Sequence, residues 1–110
     1  MTVTEIFQAG RDRLVERGFC KNALVDDEGR VCAMGAIADA TPEHKMGHPR
    51  LWGEAEVWSR ADKILCEFAP RVSGNWWSDI VAYNNHPDTT INDVLQVFDD
   101  AILAAKERDL

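Results

Sequence analysis

The sequence predicts a mainly α protein, a compact bundle of four to five helices around a buried central helix with one small β-hairpin. Three observations predict it. Apolar residues recur three and four apart over residues 3–14, 51–69 and 91–105; residues 31–40 are small or apolar almost without interruption; and an acidic turn ending in glycine, Asp26-Asp27-Glu28-Gly29, parts two short apolar runs. The first pattern is that of amphipathic helices, the second of a helix buried on all sides, the third of a hairpin. With 110 residues the chain reads as one domain over 1–110, long enough to bury a core without metal or disulfide staples.

Thr2 and Glu5 fit a capping box, so a helix is expected from Val3, with Val3, Ile6, Phe7, Gly10 and Leu14 inward and Gly18 as its stop. Ala23-Leu24-Val25 and Arg30-Val31-Cys32 are read as the two strands of the hairpin. The helix over 31–40 forms the centre of the core, where small residues at Ala33, Gly35, Ala36 and Ala40 let neighbours approach closely. Thr41-Pro42-Glu43 restarts the chain, and 44–50 reads as loop. A long helix over 51–69 places Leu51, Ala55, Trp58, Ala61, Leu65 and Phe68 inward, and Pro70 ends it. Residues 76–83 read as a short helix, although a buried strand looks alike at this length. The turn over 84–90 includes Pro87, and Thr90 caps a final helix with Ile91, Val94, Leu95, Phe98, Ala101, Ile102 and Ala105 on one face.

Twelve basic against nineteen acidic residues give a net charge of −7, which argues against a phosphate-backbone binder. The acidity serves solubility, a partner with a basic surface, or mimicry of nucleic acid; counting alone leaves the three open. Cys20, Cys32 and Cys66 are an odd set without close spacing, unlike a secreted disulfide framework, so a reducing cytoplasm is expected. No basic stretch followed by an apolar run begins the chain, and no apolar run approaches a membrane span. Nucleic acid and membrane are therefore not expected partners.

The candidate chemistry is sparse. Cys32, at the head of the buried helix, would gain from the helix's positive end as a nucleophile, with His44, His48 or His86 as base and Asn84 or Asn85 orienting it. The competing reading makes Cys32 a core residue, as free cysteines usually are. Cys20, Cys32, His44 and His48 fail the spacing of a zinc site, the acidic turn fails that of a calcium loop, and no phosphate-binding glycine motif occurs. No metal, cofactor or catalytic set is assigned. Asn84 and Asn85 read either as caps or as ligand-binding amides. Trp76 and Trp77 are adjacent, so one of the two can reach the surface and anchor a partner. Trp76, Trp77, Asn84 and Asn85 are thus the candidate binding residues, and Cys32, Gly35, Pro87 and Thr90 the structural ones.

Gly18-Phe19-Cys20, Gly29, Cys32-Ala33-Met34-Gly35-Ala36-Ile37 and Val81-Ala82-Tyr83-Asn84-Asn85, leading through Pro87 and Thr90 to Val94, Leu95, Asp99 and Ala101-Ile102, carry a resemblance. The chain resembles a family of small uncharacterised proteins, a domain of unknown function, found in actinobacteria and their bacteriophages. Its members usually show Trp-Asn-Asp where this chain has Tyr83-Asn84-Asn85. The resemblance implies a mostly helical cytoplasmic protein and a phage-borne gene, and it brings no catalytic residues. The expected function is a non-catalytic, acidic adaptor or modulator that binds a protein, a host protein if the gene is phage-borne; a homo-oligomer is compatible with the sequence. The alternative is a small thiol-dependent hydrolase or transferase using Cys32.

Overall fold

The computed structural model describes residues 2–40, 56–72 and 79–110. Among these, five helices follow one another: α1 (Val3–Arg17), α2 (Ala33–Ala40), α3 (Glu56–Phe68), α4 (Asp79–Asn85) and α5 (Ile91–Glu107). Residues 41–55, Trp76 and Trp77, for which the sequence analysis states expectations, lie outside the described residues, as does the Trp58 side chain.

Two helices begin on reciprocal caps. The Thr2 hydroxyl accepts the Glu5 amide at 3.1 Å while the Glu5 carboxylate accepts the Thr2 amide at 3.0 Å. Thr90 and Asp93 repeat the device at α5, at 3.3 and 2.9 Å, satisfying amides that a helix start leaves without partners. Helix α1 stops at Gly18, whose φ of 90° suits glycine and whose N–H still reaches the Leu14 carbonyl.

The core forms where α1 lies on α2 and α5, and α3 closes against α5. Phe7 and Phe98 meet edge to face with ring centroids 6.3 Å apart. Helix α2 is buried throughout except for Asp39, which Arg13 holds at 2.7 Å and Arg17 at 3.4 Å from the neighbouring helix. At the periphery Arg11 pairs with Asp99, and Arg108 takes both oxygens of Glu67. In solvent such pairs add little stability but fix which helix faces which.

The hairpin expected around Asp26-Asp27-Glu28-Gly29 does not form a strand pair. The turn itself closes: Asp26 Oδ1 accepts the Glu28 and Arg30 amides, and Gly29 adopts a φ of 81°. Beyond it only Val25 bridges antiparallel to Val31, and Val31 bridges in parallel to Phe19. The reason is competition for one residue's backbone. Val31 gives its N–H to Gly18 and accepts the Cys20 amide, and α2 begins two residues later, so no second ladder can extend. The same bonds explain why the central helix starts at Ala33 rather than at 31.

Candidate functional site

The segment over 18–25 passes across the head of α2, and the fit depends on Gly35. A Cβ added at Gly35 would fall on the carbonyl oxygen and carbon of Leu24, so only glycine lets the two backbones touch. The Leu24 carbonyl also accepts the Cys32 amide at 3.1 Å. The loop is therefore laid directly on the first turn of α2.

Asn84 of α4 ties the other side. Only 2% exposed, it accepts the Ala33 amide on Oδ1 at 2.9 Å and donates from Nδ2 to the Cys20 carbonyl at 3.2 Å and to Asn85 Oδ1 at 3.1 Å. It thus caps a helix more than forty residues away in sequence and holds the loop to it. Asn85 Oδ1 accepts the amide of Asn22, which sits at a φ of 62°. Lys21 latches the same loop beyond the end of α4, donating to the carbonyls of His86 at 2.6 Å and Pro87 at 3.1 Å.

Between loop, α2 and α4 lies a cleft of about 310 Å³. Ala23, Leu24, Met34 and Val81 give it apolar walls, and Asn22, Asn84 and Asn85 bring carboxamides to it. A small, mostly apolar recess with a few fixed polar groups is the usual form of a ligand site, and about 300 Å³ is the lower end of the usual size.

Cys32 also lines the cleft. Its sulfur accepts the Gly35 amide at 3.2 Å. Burial pushes this thiol up, although the amides of Gly35, Met34 and Cys32 itself pull it down. Cys20 is likewise raised, by burial first and then by Cys32 and Asp26 nearby. None of the three cysteines is in a disulfide. His86 is the one histidine among the described residues and lines a different depression, with Arg71 and Tyr83; its Nδ1 accepts the Asp88 amide at 3.2 Å. His44 and His48 lie outside the described residues. Among those described, no three His, Cys, Asp or Glu side chains are grouped to hold a metal.

The raised thiols have a consequence for stability. A thiol whose value is higher in the folded than in the unfolded chain stabilises the fold fully while protonated, below the ordinary thiol range of about 8.5, and that contribution is lost as pH rises through the folded value. The melting temperature is therefore expected to fall above about pH 8.5, and the fall to be shallower in Cys32→Ala. Thermal melts of both chains across that range check it.

The sequence reading named Asn84 and Asn85 but missed Asn22, Lys21 and the contact of Gly35 with Leu24. The available signal was Asn22 itself, since asparagine is among the few residues that adopt a positive φ readily. The Thr2–Glu5 capping box, Thr90 as a cap, the buried α2 and the Pro70 stop were readable; the reciprocal bond from Asp93 to Thr90 was not read. The cross-chain bonds of Asn84 were not.

In comparisons with known proteins, the model of a family described as Family of unknown function (DUF6197) matches residues 1–104. No curated protein and no solved structure matches the chain.

Proposed function

The chain belongs to DUF6197, a family of unknown function, and we propose that it is a non-catalytic binding domain whose cleft at the head of α2 receives an apolar side chain of a protein partner. What supports this is the combination of apolar walls with the carboxamides of Asn84, held by buried hydrogen bonds, and Asn85, held by Asn84 and the Asn22 amide, so little ordering of these two is needed on binding. The partner carries Lys or Arg beside that apolar residue. Asp27 is exposed in the turn that follows the cleft loop, where Arg30 pairs with Asp26 and Glu28, and the chain carries a net charge of −7. The three thiols outside any disulfide favour the cytoplasm as the place of action, where a phage-borne copy would meet a host protein. No described helix is long and apolar enough to cross a membrane.

Ala23 is exposed and lines the cleft, so Ala23→Trp fills the mouth without touching the core. Expected is an unchanged melting temperature and loss of at least about tenfold in partner affinity, about 1.4 kcal/mol, with wild-type binding weakening as salt rises. Equal co-purification by the two chains would overturn the reading.

One observation favours a second reading, a thiol chemistry: Cys32 Sγ sits at the amino end of α2 with amides directed at it. Alkylation in a Cys20→Ser, Cys66→Ser background separates the two. The buried, raised thiol is expected to label slowly at neutral pH and rapidly only on unfolding; fast labelling of the folded chain would favour chemistry over binding.

A further inference from the structure

Resting on the reading of the cleft as a binding site, we propose that Asn85 selects its occupant by donating to a main-chain carbonyl, so that the site takes an apolar residue together with its own peptide group. The orientation of a carboxamide is ambiguous on its own, because its oxygen and nitrogen have the same shape. Here the chain of partners settles it. Asn84 Oδ1 faces the Ala33 N–H and Asn84 Nδ2 faces the Cys20 carbonyl, both backbone groups whose character is fixed. Asn84 Nδ2 also donates to Asn85, at 3.1 Å, and the Asn22 N–H donates to the same atom at 2.9 Å. That atom must be the oxygen. The Nδ2 of Asn85 is then the group left over, two N–H donors on a half-buried residue lining the cleft, with no acceptor among the described residues.

Covering those donors with a purely apolar group would strip their water and return nothing, whereas a carbonyl oxygen replaces it. The acceptor should be neutral. A carboxylate would be repelled by a chain with net charge −7, and a neutral amide carbonyl would not. Asn22, exposed at the lip, adds a second carboxamide able to match the N–H and C=O of a peptide at once.

The substitution Asn85→Asp isolates this role. It keeps an oxygen for Asn22 and Asn84 but exchanges the donors for a second oxygen, which repels a carbonyl. The full chain, labelled with nitrogen-15, is titrated with N-acetyl-L-leucine methylamide and separately with cyclohexane, which has no acceptor. Expected in the wild type are shifts at Asn22, Met34 and the Asn85 side chain with the leucine probe, and weaker binding of cyclohexane. In Asn85→Asp the leucine probe weakens at least about tenfold while cyclohexane stays within about twofold. The matching leucine thioamide, a poorer acceptor, binds the wild type more weakly and gives the same information without a mutation. Cyclohexane binding as tightly as the leucine probe, or a leucine probe indifferent to both changes, would overturn the role of Asn85 and leave the cleft as a binding site. Neither probe shifting the cleft would overturn both.

Discussion

Gly35→Ala is expected to lower the melting temperature by roughly 12–18 °C, the equivalent of about 3 kcal/mol in a domain of this size. In an exposed helix the same exchange would stabilise by about 1 kcal/mol, because alanine is the better helix former. The sign reverses here because the new methyl would occupy the position of the Leu24 carbonyl, which also accepts the Cys32 amide. The loop over 18–25 must lift, and with it one wall of the cleft. Circular dichroism melts measure the loss. An unchanged or raised melting temperature would mean that the loop does not rest on α2.

Asn84→Leu is the second large loss, again about 3 kcal/mol, and for a different reason. Leucine keeps the volume but leaves the Ala33 amide and the Cys20 carbonyl buried without their partner, each at about 1–3 kcal/mol. Asn84→Asp distinguishes the two bonds. A carboxylate still accepts the Ala33 amide at the positive end of α2, but it cannot donate to Cys20 and would carry charge in a site only 2% exposed. Burial raises such a carboxyl above its unfolded value, so its stability is expected to recover as pH falls and to worsen as pH rises. Melts at neutral and mildly acidic pH read the difference directly.

The same two residues show what could and could not be read along the chain. Helices α1 and α5 follow from apolar spacing and from caps whose partners lie three residues away, interactions that any local window contains. The burial of α2 follows equally from its composition. The hairpin failed as an expectation because its signal, a glycine turn between apolar runs, is local, whereas the fate of Val31 is decided by Gly18 and Cys20 more than ten residues earlier. Residues 84 and 85 read as turn because asparagine favours turns, yet α4 runs through Asn85. Their side chains are spent on Ala33, Cys20 and Asn22, partners more than fifty residues distant. Of the candidate binding residues, Asn84 and Asn85 line the cleft, while Trp76 and Trp77 lie outside the described residues. The cleft exists only because loop, α2 and α4 converge, which no single segment records.

The most direct measurement places a photo-crosslinking amino acid at position 23, at the cleft mouth, and separately at position 103, an exposed leucine on α5. Irradiation in the native cell, followed by mass-spectrometric mapping, identifies the residue captured. The cleft as a binding surface predicts one protein crosslinked from position 23 and not from 103, through an apolar residue flanked by Lys or Arg. Equal capture from both positions, or none from position 23 in a folded chain, would contradict it.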